Sequence, residues 1–345
     1  MSKKTMKALG FHKPGDKTKP PKLEFIDVER PEPTERNLLV EVRAISVNPT
    51  DYKTRDAKND YDDSLTIIGR DTAGVVVETG EGCTLFNIGD EVYYAGTSIA
   101  QGSHSEFHLV DERLVGKKPK SLNFAEAAAL PLTSVTALEA YFDRLGVSDM
   151  PEENAGKSIL IIGAAGGVGS VATQIAKQLG LTVIGTASRP ETKEWAMEHG
   201  ADYTINRREP FEPQLKELGL AGVHYIFCLT NVDDHMSGMA KVILPQGKIC
   251  SILPAQKPLA IALFSKSVTF AYELMYTRSM FHTDDMIKQH HLLDKLADWV
   301  DAGKVKTTMS ERMTPINSAN LERAYEKLMS GKTIGKIVLE GPIEQ

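Results

Sequence analysis

The chain has 345 residues, a net charge of −6 at pH 7 and a hydrophobic content of 41%, which is enough apolar material for two folded domains and excludes a disordered chain. The negative charge gives no overall attraction to nucleic acid or to an anionic membrane. No apolar run is long enough to span a bilayer, no secretory leader pattern is present, and the three cysteines lack metal-site or disulfide spacing. We therefore expect a cytoplasmic protein with small-molecule ligands.

The first 130 residues are predicted to form short strands separated by turns, as in an all-β, barrel-like domain. The expected strands are Asn37–Val47, Gly74–Glu78, Glu91–Tyr94 and Glu106–Val110. From Phe124 the apolar period becomes helical. A short helix is expected to end at Pro131, and Ser134–Leu145 is expected to form a longer amphipathic helix. The domain boundary is therefore predicted near Pro131.

From residue 158 onward, strands and helices alternate. Strands are predicted at Ser158–Ile162, Thr182–Ala187, Tyr203–Ile205, His224–Leu229, Lys248–Ile252 and Val268–Tyr272, and helices at Val168–Leu179, Pro190–His199 and Asp233–Leu244. Continuous Val, Ile and Leu runs indicate a parallel sheet that is buried on both faces. After a helix at Met286–Ala302, the strand around residues 334–339 is expected to return to the first domain. The predicted divisions are 1–131, 132–280 and 281–345.

A glycine-rich turn, residues 163–169, joins the first of these strands to the following helix. Such a turn lets backbone N–H groups and a helix N-terminus approach a pyrophosphate. Ala164 stands at the first glycine position of the dinucleotide fingerprint, while Gly166 and Gly169 fit the other two. The strand–turn–helix context favours a dinucleotide site over a tight turn without a ligand.

The end of the second strand predicts which dinucleotide binds. An NAD enzyme carries an acidic residue there for the ribose hydroxyl, whereas this chain has Ser188 and Arg189, followed by Lys193. A hydroxyl and a guanidinium can bind a 2′-phosphate, which a carboxylate would repel. We therefore predict NADP(H), with a solvated helix start as the alternative reading of Arg189 and Lys193.

Several motifs in order resemble the medium-chain dehydrogenase/reductase superfamily, in its zinc-free quinone oxidoreductase branch. They cover essentially the whole chain: Asn48-Pro49-Thr50-Asp51, Gly69-Arg70-Asp71-Thr72-Ala73-Gly74, Gly89-Asp90-Glu91-Val92, Ala129-Leu130-Pro131, the glycine-rich turn, Gly200-Ala201-Asp202 and Gly335-Lys336. The resemblance implies an α/β protein in which a GroES-like β-barrel catalytic domain, closed by the C-terminal segment, accompanies a six-stranded doubly wound Rossmann domain, with the active site in the cleft.

The zinc-dependent members of this superfamily place a cysteine where this chain has Asn48, and Gly-His-Glu where it has Gly69, Arg70 and Asp71. The four-cysteine structural zinc lobe is also missing. Arginine cannot ligate zinc, so we expect no catalytic metal, and Arg70 and Asp71 are expected to form an ion pair in its place. His104 and His108 are too far apart along a strand for shared ligation and are interpreted as surface or packing histidines.

Without a metal to stabilise an alkoxide, an acceptor that is already electrophilic is favoured, and quinones and α,β-unsaturated carbonyls fit. The resemblance places Asn48, Asp51 and Tyr52 at the catalytic site, with Tyr52 donating to the developing oxyanion or, alternatively, serving only as a packing aromatic. It also implies a set of cofactor-binding residues, which are Thr133, Thr136, Ala165, Gly166, Gly167, Val168, Ser188, Arg189, Lys193, Leu229, Ser251, Ile252 and Leu253.

Many members of the family form dimers through the edge strand of the Rossmann sheet. The resemblance therefore implies that Val268–Tyr272 is a candidate for homodimer formation. The segment Tyr272–His282 is interpreted as a pocket lid or a dimer contact. Two other functions stay open at this point. One is an NADPH-binding sensor or structural protein with little turnover, and the other is a residual zinc-dependent alcohol dehydrogenase.

Overall fold

The computed structural model describes residues 4–12, 20–57 and 64–345. The chain divides into two compact units: unit 1 is Met1–Leu132 with Tyr276–Gln345, and unit 2 is Thr133–Met275. The second boundary precedes the expected position at residue 280, because Tyr276 and the short helix that follows it pack within unit 1. No helix among the described residues combines the length and the apolar character needed to cross a membrane.

Unit 1 is built mainly from antiparallel strands. Its strands are β1 (Thr5–Phe11), β2 (Glu24–Glu29), β3 (Asn37–Ser46), β4 (Thr66–Ile67), β5 (Asp71–Thr79), β6 (Glu91–Tyr94), β7 (Phe107–Asp111), β8 (Val115–Lys117), β15 (Met309–Met313) and β16 (Lys336–Glu340). Its helices are α1 (Pro49–Ala57), α2 (Phe124–Ala128), α9 (Thr277–Phe281), α10 (Lys288–Asp301) and α11 (Ser318–Met329), with Pro131–Glu139 (α3) beginning at its boundary. A 3₁₀ turn covers Glu112–Leu114.

Two sheets organise unit 1. The larger has the strand order β15-β16-β3-β5-β6-β8, with β7 also paired to β3, and the smaller is β2-β1-β4. Strand β16 pairs antiparallel with β3 through Val338 and Ser46, which confirms that the C-terminal segment returns to the first unit. Apolar residues of β3 are buried on both faces, so β3 forms the centre of this unit.

Unit 2 alternates strands and helices. Its strands are β9 (Ser158–Ile162), β10 (Thr182–Thr186), β11 (Tyr203–Ile205), β12 (Val223–Cys228), β13 (Ile243–Ser251) and β14 (Thr269–Tyr272). Its helices, after α3, are α4 (Gly167–Gln178), α5 (Pro190–Glu198), α6 (Phe211–Glu217), α7 (Val232–Val242) and α8 (Ile261–Ser265). A π-helical turn covers Ala140–Leu145, and a 3₁₀ turn covers Pro151–Asn154.

The six strands of unit 2 form one parallel sheet in the order β11-β10-β9-β12-β13-β14. This order confirms the predicted six-stranded doubly wound fold. Strand β9 is central and fully buried, as its continuous Ile and Leu run requires. The prediction of one long α-helix at Ser134–Leu145 is wrong in two respects. The helix begins earlier, at Pro131, and after Glu139 it changes from an α-helix to a π-helical turn.

Candidate functional site

Unit 1 contains a buried polar cluster formed by Asn48, Asp71 and Lys336. The Lys336 ammonium lies 2.8 Å from Asp71 Oδ2 and also donates to Asn48 Oδ1 and to the Val47 carbonyl. The Asn48 amide donates to Asp71 Oδ2 at 2.9 Å, and the Leu132 N–H donates to Asp71 Oδ1 at 2.7 Å. All three side chains are buried. The orientation of the Asn48 amide is therefore set by a charge pair on either side of it.

Asp51 occupies the first turn of α1, which follows Asn48 directly. Its Oδ2 accepts the Asn48 backbone N–H at 2.7 Å, as the third helical residue does when it reaches back to the residue before the helix. Pro49 begins the helix, where its fixed φ is favourable. Burial raises the pKa of Asp51 to about 7, and Asp51 Oδ1 is buried without a hydrogen-bond partner. This carboxyl group can therefore hold a proton near neutral pH.

Arg70 does not pair with Asp71, so the predicted ion pair is wrong. Neighbouring residues on a strand point in opposite directions, and Arg70 instead donates to the Thr97 carbonyl at 2.6 Å and lies over the ring of Tyr276, 5.9 Å from its centroid. The ion-pair partner of Asp71 is Lys336 instead of Arg70. Zinc does not fit this arrangement, because Asn48 and Arg70 replace the cysteine and histidine ligands and the remaining carboxylate, Asp71, is paired with Lys336.

His104 and His108 are packing residues and are both buried. The His108 ring contacts the Tyr94 hydroxyl and the Gln101 carbonyl, while His104 lies before β7 rather than in it. Burial lowers the pKa of His104 to about 3 and that of His108 to about 4. Across the described parts of the chain, no three His, Cys, Asp or Glu side chains form a group that could hold a metal.

Tyr52 follows Asp51 on α1 and is partly exposed. Its ring lies against that of Tyr325, with centroids 6.4 Å apart. Burial raises the pKa of Tyr52 above its ordinary value, so the hydroxyl keeps its proton at neutral pH. Of the three predicted catalytic residues, Asn48 and Asp51 are buried and Tyr52 is the more exposed. Tyr52 therefore combines a packing contact with a hydroxyl that can donate.

The glycine-rich turn of unit 2 is shaped by close contacts behind it. A Cβ at Gly169 would lie against the Gly163 carbonyl oxygen and 2.7 Å from the Ala164 carbonyl carbon, so helix α4 reaches the turn only with glycine there. Ala164 is fully buried, and a Cβ at Gly185 would lie 2.8 Å from its methyl group. The missing Cβ of Gly185 on β10 thus makes room for alanine at the first fingerprint position.

The outer side of the same turn fits a pyrophosphate. A Cβ at Gly166 would meet only the Gly163 carbonyl oxygen, at 3.5 Å, so the space in front of Gly166 is open to a ligand. The first N–H groups of α4, beginning at Gly167 and Val168, have no intrahelical acceptors and carry the positive end of the helix dipole. Ala165 completes this surface. A dinucleotide therefore fits these residues.

The end of β10 carries the residues predicted to select the cofactor. Ser188 and Arg189 are partly exposed and Lys193 is exposed. Arg189 Nε lies 3.0 Å from Glu191 Oε1, and both side chains are accessible. A surface ion pair contributes only about 0–1 kcal/mol, and the guanidinium carries five donors. A bound phosphate can therefore compete for Arg189.

The remaining predicted cofactor residues lie at carboxyl ends of strands or on α3. Leu229 follows β12, Ser251 ends β13, and Ser251 Oγ donates to the Leu253 carbonyl at 2.7 Å. The Ile252 N–H donates to the Cys228 carbonyl. Carboxyl ends of parallel strands share one edge of the sheet, where open α/β sheets bind ligands. Thr133 and Thr136 are buried on α3.

Three features of the site were not predicted. The sequence identified Lys336 only as part of a motif, yet it is the cation of the buried polar cluster. Tyr276 was placed in a lid or dimer segment, whereas its ring lies on Arg70 in unit 1. The contact between Glu139 and Glu273 in unit 2 was not anticipated at all. For Lys336 alone the sequence offers a signal, which is a lysine directly before the apolar residues 337–339 of the C-terminal strand.

Two family models match the chain: an alcohol dehydrogenase GroES-like domain over residues 34–120 and a zinc-binding dehydrogenase over residues 199–339. A zinc-type alcohol dehydrogenase-like protein of Staphylococcus aureus is 41% identical over 97% of this chain and 99% of its own. A 2-methylene-furan-3-one reductase of Solanum lycopersicum is 31% identical over 91% of this chain and 74% of its own. The crystal structure of a zinc-dependent alcohol dehydrogenase homologue from Rhizobium etli superposes with a TM-score of 0.92 at 47% identity, covering 99% of both chains.

Proposed function

Because the chain belongs to the medium-chain dehydrogenase/reductase superfamily, whose members are oxidoreductases that use a nicotinamide cofactor, we propose that it is an NADPH-dependent reductase of quinones or α,β-unsaturated carbonyls that works without a catalytic metal. One observation carries the proposal: Lys336 fills the position beside Asn48 and Asp71 where a metal would need anionic or neutral ligands. Without a Lewis acid, electrophilic acceptors are the substrates that remain accessible.

Each unit contributes a separate part of the activity. In unit 2, Ala165, Gly166, Gly167 and Val168 hold the pyrophosphate, Ser188, Arg189 and Lys193 hold the 2′-phosphate, and Thr133, Thr136, Leu229, Ser251, Ile252 and Leu253 line the rest of the cofactor site. The bound cofactor supplies the hydride. In unit 1, Tyr52 donates a hydrogen bond to the oxyanion that forms on the acceptor, Asp51 holds a proton near neutral pH, and Asn48 is kept in one orientation by Lys336 and Asp71.

Replacing Tyr52 by phenylalanine tests the oxyanion donor. We expect kcat with a quinone acceptor to fall by roughly tenfold or more, since one lost donor costs on the order of 10²-fold where it contacts developing charge directly, while the Kd for NADPH stays unchanged. Steady-state kinetics and fluorescence titration measure the two quantities. Tyr203→Phe, at an exposed position of unit 2, serves as the control. An unchanged kcat in Tyr52→Phe would leave Tyr52 with its packing role alone.

Replacing Arg189 by alanine tests the cofactor preference. A charge-assisted hydrogen bond contributes about 1.5–3 kcal/mol, so the Kd for NADPH should rise by roughly 10- to 100-fold while the Kd for NADH is unaffected. Arg208→Ala removes an exposed arginine elsewhere on unit 2 and should change neither value. Equal losses for both cofactors in Arg189→Ala would contradict selection of the 2′-phosphate by this side chain.

We further propose that two copies pair through β14. This strand is at the edge of the parallel sheet, and its unpaired backbone groups can join the same strand of a second copy across a twofold axis. Ile261 and Phe264, which lie just before it, are 84% and 85% exposed. A second copy is the occupant that satisfies both the edge and these apolar side chains.

Phe264→Glu is expected to shift the protein from dimer to monomer, because a buried unpaired carboxylate is costly at an interface. Size-exclusion chromatography with light scattering measures the mass. Met197→Glu, which changes an exposed apolar residue elsewhere on unit 2, should leave the dimer intact. A wild-type protein that is monomeric at micromolar concentration would rule out this pairing.

A further inference from the structure

Two buried glutamate side chains meet in unit 2. Glu139 is the last residue of α3 and is fully buried, and Glu273 directly follows β14 and is 2% exposed. Their carboxyl groups face each other closely enough to interact, and the Glu273 Oε1 atom is buried without a hydrogen-bond donor among the described residues. Ionised carboxylates can only accept hydrogen bonds, so this contact requires a proton on one of the two groups.

The charges around the pair are consistent with one retained proton. Arg144, in the π-helical turn, lies with its Nε 2.9 Å from Glu273 Oε2. The Cys250 thiol of β13 also faces the pair, and burial raises its pKa, so it carries no charge. One guanidinium, one carboxylate and one carboxylic acid give a neutral group. Burial and the neighbouring Glu139 raise the pKa of Glu273 to about 9.

The pair connects two parts of the proposed cofactor site. Glu139 lies one helical turn after Thr136 on α3, and residues at this spacing are neighbours on a helix surface. The Glu273 N–H donates to the Ser251 carbonyl at 2.9 Å. The π turn that continues α3 is fixed to the sheet, because the Tyr141 hydroxyl donates to the Ala172 carbonyl and its ring packs against Phe227.

We propose that the proton shared by Glu139 and Glu273 is a positioning element, which ties the end of α3 to the carboxyl ends of β13 and β14 and thereby holds Thr136 and Ser251 in the geometry that binds the nicotinamide cofactor. Loss of the proton places two carboxylates against one guanidinium in a buried site. Two neighbouring carboxylates in a buried site repel each other, and α3 then moves away from the sheet. This inference rests on the proposed NADPH binding.

The first arm of the test needs no cofactor. A carboxyl group whose pKa is raised in the folded state contributes stability that is fully present below its unfolded pKa and is lost as pH rises through the folded value. Because the ordinary pKa of a glutamic acid is about 4.3 and that of Glu273 is raised to about 9, the melting temperature of the wild-type protein should fall progressively between about pH 5 and pH 9. Glu273→Gln should show a smaller fall, since the amide donates to Glu139 at every pH. Glu139→Gln is the second variant, and Glu152→Gln, at an exposed position, is the control.

The second arm measures NADPH affinity by fluorescence titration between pH 7.5 and pH 10, where the folded protein loses the proton. For the wild-type protein and Glu152→Gln we expect the Kd to rise at least tenfold between pH 7.5 and pH 10, and for Glu273→Gln we expect it to stay constant within twofold. Equal pH profiles of stability and affinity in wild type and both glutamine variants would overturn the shared-proton role. Failure of the wild-type protein to bind NADPH at any pH, with the stability difference intact, would instead count against the proposed function.

Discussion

Replacing Lys336 by methionine is expected to lower the free energy of unfolding of unit 1 by about 3–5 kcal/mol, the range found when one partner of a buried ion pair is removed. The physical reason is that Asp71 stays fully buried and, among the described residues, keeps hydrogen bonds only from Asn48 and from the Leu132 N–H. Equilibrium unfolding in urea, followed by circular dichroism, measures the change.

The matched control for this substitution is Lys53→Met, which removes an exposed lysine of the same unit and should change stability by less than about 0.5 kcal/mol. Adding Asp71→Asn to Lys336→Met should recover part of the loss, because the uncompensated charge is then gone. Two single losses that simply add in the double variant would show that Lys336 and Asp71 are not coupled, and the buried polar cluster would then need another explanation.

Alanine substitutions at two glycines of the turn at residues 163–169 are both expected to weaken NADPH binding, but only one of them is expected to destabilise the fold. At Gly169 the new Cβ would meet backbone atoms of Gly163 and Ala164, which cannot move without separating α4 from β9. We expect Gly169→Ala to destabilise unit 2 by roughly 3 kcal/mol, at the upper end of overpacking effects, and to abolish NADPH binding. Thermal unfolding and fluorescence titration measure both effects.

Gly166→Ala is the partner of that experiment. Its Cβ would be 3.5 Å from the nearest atom, so the melting temperature should stay within a degree or two of the wild-type value. The same Cβ projects into the open space in front of the turn, and the Kd for NADPH should rise at least about tenfold, or 1.4 kcal/mol. Unchanged NADPH binding in Gly166→Ala would mean that the pyrophosphate does not lie against this turn.

The parallel sheet was the part of the fold most accessible from the sequence. Strands buried on both faces read as unbroken apolar runs, and the bounds predicted for Ser158–Ile162 and Tyr203–Ile205 agree with β9 and β11. Strands of unit 1 were harder to recognise. Strand β15, Met-Ser-Glu-Arg-Met, lies at the edge of its sheet and is mostly polar, so its short alternation does not stand out from a loop.

The polar residues of the site also differ in how far the sequence predicts them. Asn48, Asp51 and the residues of the glycine-rich turn stand in local motifs, which the sequence displays directly. Lys336 contacts Asn48 although 288 positions of the chain separate them. The cationic partner of Asp71 was predicted to be Arg70 rather than Lys336, because adjacency in sequence says nothing about the direction of a side chain. Glu139 and Glu273 carry no local signal, since burial of a carboxyl group becomes visible only when α3 and the end of β14 are brought together.

The most direct test of a metal-free NADPH reductase combines two measurements on one preparation. Zinc is quantified in the purified protein before and after dialysis against a chelator, and NADPH oxidation is followed with quinones, alkenals and simple ketones, then repeated with NADH. We predict undiminished turnover of quinones or alkenals by zinc-free protein, with NADPH preferred. Stoichiometric zinc whose removal abolishes turnover would contradict the account, and NADPH binding without turnover of any acceptor would point to a sensor or structural role instead.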